Sequence, residues 1–369
     1  MFRRWLVLSL ALNLGCSGSP PPAPEEPPPT DEARKKKRPR KPKLPGEASG
    51  PNVVVLIWDT VRADHLTPYG YGRDTTPELQ RLAERSVVYE RAISPGMWTV
   101  PSHASLFTGL PVRSHGARAS RKRLAGKFTT MAEWFGEQGY GTYLFSANPF
   151  VGEATAMHQG FDRYESPWDE RWKEAAREAT MSKLVPQDAS NELGPAFERG
   201  KMPTGRPADQ VKDAGPVTAQ ALFTWLDERE DKGEPFLAVL NYMEAHVPRI
   251  PSMASRQALF DEAAIQRQLS TDQSLGELLA YTVGVQEFTP ERLETIAETY
   301  DAALRDLDLA AAKVWQGLQE RGLLEDTIVV ITSDHGEHLG EHHKVGHKFS
   351  LYNPLVRVPL IVHYPKALP

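Results

Sequence analysis

Two apolar runs decide the fold: Val53-Val54-Val55-Leu56-Ile57-Trp58-Asp59 and, far along the chain, Ile328-Val329-Val330-Ile331-Thr332-Ser333-Asp334, which continues into His335. A short continuous Val/Ile run reads as a parallel strand buried on both faces. Open α/β sheets bind ligands just beyond the carboxyl ends of such strands. Asp59, Asp334 and His335 are therefore expected on one rim, where two carboxylates and an imidazole form a candidate metal site. Gly141 to Asn148 and Pro235 to Tyr242 read as further strands, which brings Asn148 and His246 near the same rim. The expected class is α/β, with a mostly parallel central sheet flanked by helices.

Between the strands lies Trp98-Thr99-Val100-Pro101-Ser102-His103-Ala104-Ser105-Leu106-Phe107-Thr108-Gly109. It reads as a loop feeding a short helix, with Pro101 in the first turn and Gly109 as the far cap. Thr99 then stands at a helix N-terminus, where unpaired N–H groups and the helix dipole favour an anion. A threonine there also serves as a plain cap. Thr76-Pro77-Glu78-Leu79 opens another helix with a threonine cap and first-position proline. Leu304, Leu307, Ala311, Val314, Trp315 and Leu318 recur at helical spacing and are expected to cover the sheet.

In order, IWDTVRADHLTPYGY, TVPSHASLFTG, MEAHVP and TSDHGEHLGEH resemble the sulfatase family of the alkaline-phosphatase-like superfamily, over roughly residues 51 to 365. The resemblance implies an α/β sandwich with a divalent metal and a covalent nucleophile at the strand ends. It matches Asp59, Asp334 and His335 to metal ligands and Thr99 to the nucleophile, itself a further ligand. His246 and His347 match positions that contact the substrate's anionic group and serve catalysis, while His103 and Asn148 join them as candidate substrate contacts. The well-known sulfatases carry Cys or Ser in a C/S-x-P-S-R motif, oxidised to formylglycine. Here Thr99 and His103 occupy the first and last places, so an unmodified hydroxyl activated by the metal is expected to attack.

The acid, Thr, Asp and His set also resembles the phosphoethanolamine and phosphoglycerol transferase branch, which usually has Glu where Asp59 stands. Thr60 replaces the second Asp of many calcium sulfatases. Losing that hard oxygen ligand while gaining His335 moves the expected metal from Ca²⁺ toward Zn²⁺ or Mn²⁺. The expected function is metal-dependent hydrolysis of sulfate or phosphate esters carried by a glycan, lipid or small molecule. Phosphotransfer is one alternative, and a non-catalytic surface-binding lipoprotein is another. His338, His342 and His343 read either as a second metal site or as solvated loop histidines.

The chain has 369 residues and a formal net charge of -5; residues 1 to 50 carry +5 and the remainder -10. Such an acidic catalytic region argues against nucleic acid as partner. Arg3 and Arg4 ahead of Trp5 to Leu12, followed by Leu14-Gly15-Cys16, read as a lipoprotein-type signal over residues 1 to 16, with Cys16, the only cysteine, as the lipidated residue. Residues 17 to 50, rich in Pro and Lys, read as a disordered tether, and 51 to 369 as the catalytic domain. A bacterial cell-envelope location follows, anchored by lipid and sorted to the outer membrane, facing periplasm or surface. Residues 166 to 215 read as a lid or insertion, and the family's C-terminal subdomain as short or absent.

Overall fold

A computed structural model describes residues 50–184 and 214–368. Cys16, the signal, the tether through residue 49, and residues 185–213 of the expected lid lie outside the described residues. The strands are β1 (Asn52–Trp58), β2 (Val87–Val88), β3 (Ala92–Ile93), β4 (Gly141–Ser146), β5 (Arg163–Glu165), β6 (Phe236–Tyr242), β7 (Thr327–Thr332), β8 (His338–Leu339), β9 (Val345–Gly346), β10 (Arg357–Val358) and β11 (Leu360–His363). Seven of them form one sheet in the order β2-β11-β7-β1-β6-β4-β5. From β7 to β5 every pairing is parallel, while β11 and β2 run antiparallel at one edge. The expected mostly parallel α/β class is what the chain adopts.

The strands alternate between two buried faces because successive side chains point to opposite sides. Val54, Leu56 and Trp58 of β1, with Ala238, Leu240 and Tyr242 of β6, enter one core. Val55, Ile57, Leu237 and Val239 enter the other. Five helices position the site: α1 (Pro77–Ala83), α2 (Thr99–Thr108), α3 (Val112–His115), α4 (Gly215–Glu228) and α5 (Pro290–Glu320). Leu304, Leu307, Ala311, Val314, Trp315 and Leu318 of α5 are buried in the first core, as their spacing predicts. Val100, Ala104 and Phe107 of α2 lie in the second, so the helix bearing Thr99 is fixed against the opposite face. Among the described residues no helix is long and apolar enough to cross a membrane.

One expected cap is corrected. Thr76 does precede α1, but its side chain makes no capping bond; the hydroxyl instead accepts from Thr67 N at 3.0 Å. The orphan N–H groups of Glu78 and Leu79 donate to the buried Asp308 carboxylate of α5, both at 2.8 Å. A cap supplied from 230 residues away is invisible to local sequence patterns. Asp308→Ala leaves two N–H groups unpaired and is expected to cost about 2 kcal/mol of stability, with Asp308→Asn milder. Urea unfolding of the two variants measures the difference.

Candidate active site and metal centre

Parallel registry brings the strand ends level. Trp58 pairs with Tyr242, Ile57 with Thr332 and Ser146 with Asn241, so Asp59, Asp334, Asn148 and His246 all follow their strands on one rim. Asp59 Oδ2 accepts from Asn148 Nδ2 at 2.6 Å, which leaves Oδ1 buried without a partner. Asp334 Oδ1 accepts from His335 N at 2.9 Å and Thr60 N at 3.4 Å, and its Oδ2 has no hydrogen bond. His335 Nδ1 lies 2.9 Å from the Gly336 carbonyl and so carries the proton that donates to it. That tautomer turns a bare lone pair on Nε2 toward the two carboxylates, 3.3 Å from Asp334 Oδ2 and 3.8 Å from Asp59 Oδ1.

Three buried atoms with unspent ligand capacity thus face one another, all within 4.8 Å. Buried polar atoms are normally satisfied, and a divalent cation would satisfy all three at once. The donor chemistry fits. Burial and the neighbouring Asp334 charge push the Asp59 carboxyl up to about 7. Burial also opposes charge on Asp334, yet the His335 and His103 imidazoles hold it below the usual carboxylate range.

Thr99 is the first residue of α2 and is buried. Asn148 Nδ2 reaches its Oγ1 at 3.3 Å while also donating to Asp59, so one amide bridges the nucleophile candidate and a ligand. Phe150 N donates to Asn148 Oδ1 at 2.8 Å and fixes which end of that amide faces the site. His103, one turn along α2, is fully buried. Its Nδ1 sits 3.1 Å from the Thr99 carbonyl and 3.4 Å from Asp334 Oδ2. Burial disfavours its charge, but the nearby Asp334 carboxylate raises its pKa above the ordinary histidine value.

Thr60, next to Asp59, is held to the backbone at this rim. Its φ of 62° is left-handed, unusual for a β-branched residue. Its Oγ1 donates to the Asp59 carbonyl at 2.7 Å and its carbonyl accepts from the buried Tyr300 hydroxyl at 2.9 Å. The hydroxyl is therefore committed to the backbone and turned from ligand duty.

His347 and His246 meet beside the ligands. Their rings are 4.9 Å apart, and His347 is 4.7 Å from His335. His246 Nδ1 lies 2.6 Å from the Val247 carbonyl. Two residues missed in the sequence support this pair. Glu337, fully buried, lies 3.4 Å from His347 Nδ1, and Arg249, also buried, reaches Glu337 at 3.4 Å. Burial works against Glu337, but His347 and Arg249 keep its carboxyl low. Glu337 sits inside the quoted TSDHGEH stretch, and its only sequence signal was an acid three residues beyond the ligand Asp334.

His338 and His342 meet edge-on at 5.9 Å, but with His343 they form no metal cluster among the described residues. His338 Nε2 meets Ser350 Oγ at 2.7 Å, His342 stacks on Tyr352 and His343 tilts against Tyr281. Among the described residues, Asp59, Asp334 and His335 form the only His/Cys/Asp/Glu cluster arranged for a metal. Of the expected lid, the helix Lys173–Leu184 is described, and Lys183 ties it to Asp306 of α5 at 3.3 Å.

A candidate metal site at the strand ends beside a helix-borne hydroxyl, on a mostly parallel α/β sheet, can be set beside known proteins. The Sulfatase family profile matches residues 51–369, and the chain belongs to that family. Mouse iduronate 2-sulfatase is 23% identical over 347 residues, covering 85% of this chain and 59% of that protein. An ulvan-active sulfatase of Formosa agariphila is 26% identical over 326 residues, covering 86% and 57%. The chain therefore spans under two thirds of the length of these relatives. The crystal structure of a phosphonate monoester hydrolase of Agrobacterium radiobacter superposes with a TM-score of 0.63 at 21% identity, covering 86% of this chain and 68% of the other. That likeness concerns the fold.

Proposed function

We propose that the chain is a metal-dependent hydrolase of sulfate or phosphate esters with unmodified Thr99 as nucleophile. The observation that carries this reading is the trio of unpartnered buried ligand atoms, Asp59 Oδ1, Asp334 Oδ2 and His335 Nε2, at a site whose Asp59 shares the Asn148 amide with the Thr99 hydroxyl. A divalent cation held by Asp59, Asp334, His335 and Thr99 would polarise the ester and lower the pKa of the Thr99 hydroxyl. A mixed carboxylate and imidazole set with a hydroxyl favours Zn²⁺ or Mn²⁺ over Ca²⁺.

Asn148 orients Thr99 Oγ1, and the Thr99 and Val100 N–H groups at the start of α2, which have no intrahelical acceptor, would favour the negative charge of an ester there. Thr99 Oγ1 gives its proton to water and bonds to phosphorus or sulfur while the bond to the leaving alkoxide breaks; that proton later restores the histidine that serves as acid. His347, held by Glu337, or His246 beside it gives the alkoxide its proton. Water then displaces Thr99 from the phosphoryl or sulfuryl group and restores the hydroxyl. His103 keeps Asp334 and the start of α2 in place.

The test is a substrate panel of aryl phosphate, phosphodiester and aryl sulfate, assayed with Zn²⁺, Mn²⁺ or Ca²⁺ in turn. Hydrolysis of at least one ester, lost on chelation and restored by Zn²⁺ or Mn²⁺, is the expected result. Failure on every ester with every metal would sink the reading.

The cell-envelope location is a separate proposal that rests on the sequence around Cys16. Cys16→Ser protein is expected to move from the membrane to the soluble fraction, because lipid chains on that residue would supply the attachment. Unchanged membrane fractionation would refute it.

A further inference from the structure

Residues 113–127 form the one strongly basic stretch of an otherwise acidic domain: Arg113, Arg118, Arg121, Lys122, Arg123 and Lys127, with no acid among them. All six are exposed. Elsewhere arginines such as Arg163, Arg171 and Arg292 are held by carboxylates. By contrast Arg113, Arg118, Lys122, Arg123 and Lys127 pair with no carboxylate among the described residues. Concentrating like charge costs self-repulsion, and among the described residues only Arg123 of these side chains bonds the protein's own backbone. The stretch folds through its backbone, with Arg118 and Arg121 exchanging main-chain bonds at 3.0 and 2.8 Å.

Its position gives the charge a use. Arg123 donates to the Glu153 and Ala154 carbonyls, which pins the turn to the loop that follows β4. Lys122 Nζ lies 5.8 Å over the Phe150 ring, and that ring meets Trp98 edge-on at 6.4 Å. Phe150 is 41% exposed and Trp98 half-buried. Trp98 is the residue before Thr99, and Phe150 N fixes the Asn148 amide that contacts Thr99. An aromatic edge therefore leads from Thr99 to a row of exposed cations, of which Arg113, Arg118, Lys122, Arg123 and Lys127 pair with no carboxylate among the described residues.

We propose that the 113–127 turn, reached across the Trp98–Phe150 edge, is a distal site for further anionic groups on the same substrate, so that the chain acts on esters borne by a polyanionic glycan. The inference rests on the ester reading above. A sugar ring can lie on the aromatic edge, while sulfate or phosphate groups further along meet the arginines.

Binding of fluorescent dextran sulfate, phosphorylated dextran and uncharged dextran to the full chain tests this without turnover, in the wild-type and Thr99→Ala backgrounds. The basic residues Arg34 to Lys43 also attract polyanions, so the decisive quantity is a difference between variants. Arg118→Glu/Lys122→Glu is expected to weaken binding of at least one charged dextran by about tenfold at moderate salt, with a shallower salt dependence. Lys232→Glu/Lys313→Glu, which changes net charge equally at exposed positions outside this turn, is the control and is expected to bind as the wild type does. The tighter of the two charged dextrans names the group recognised.

Equal binding by the two double variants overturns the inference. So does loss of binding to anionic phospholipid vesicles, but not to either charged dextran, on reversing Arg118 and Lys122. Tight, turn-dependent binding by a chain that hydrolyses no ester supports the distal site and sinks the ester reading instead; hydrolysis of small esters without turn-dependent binding does the reverse.

Discussion

Thr99→Ala protein should lose ester hydrolysis by about a thousandfold or more while remaining folded and able to bind metal, because a group that forms the covalent bond cannot be replaced by its neighbours. Thr99 is buried, and among the described residues the one hydrogen bond of its side chain is that from Asn148 at 3.3 Å. Removing the hydroxyl therefore leaves most of the site's framework intact. Thr99→Ser keeps the attacking oxygen and should retain measurable activity. Steady-state rates on the best ester of the panel, with metal content measured on the same samples, separate lost chemistry from lost metal. Full activity in Thr99→Ala would remove the nucleophile assignment.

Asp334→Asn is expected to have the second large effect, through the metal. Asp334 gives one oxygen to two backbone N–H groups and keeps the other for the cation. An amide can imitate the first role only. Metal affinity should fall at least about a hundredfold, more than outer-shell substitutions typically cost. Stability reports it independently of activity: metal at a thousandfold over its dissociation constant stabilises a folded site by about 4 kcal/mol. Wild-type protein should therefore melt higher with Zn²⁺ or Mn²⁺ than after chelation, and the variant should show little difference. Equal metal-dependent shifts in both proteins would contradict the ligand assignment.

The parallel sheet was legible because apolar runs such as Val53–Trp58 have only one economical home, a strand covered on both faces. Their terminal acids marked the rim, and the motif order supplied Thr99, His246 and His347. What the sequence hid depends on side-chain direction. The sequence shows that Thr60 supplies no second carboxylate, but not that its left-handed backbone turns its hydroxyl to the Asp59 carbonyl. Asp308 caps a helix across the fold, a pairing that no local pattern encodes. Arg249, just past MEAHVP, and Glu337, inside TSDHGEHLGEH, carry no pairing signal in sequence, and only the fold buries them together behind His347. The net charge of -10 over the domain conceals the basic stretch from Arg113 to Lys127, which only the structure sets beside Phe150.

Rapid quenching of metal-loaded protein during turnover, followed by digestion and mass spectrometry of the peptide containing Thr99, tests the central claim most directly. A phosphoryl or sulfuryl group on Thr99 Oγ1, formed with substrate and absent from chelated protein, is the result the account predicts. An unmodified Thr99 throughout turnover, with the group found on another residue or an oxidised side chain doing the chemistry, would contradict it.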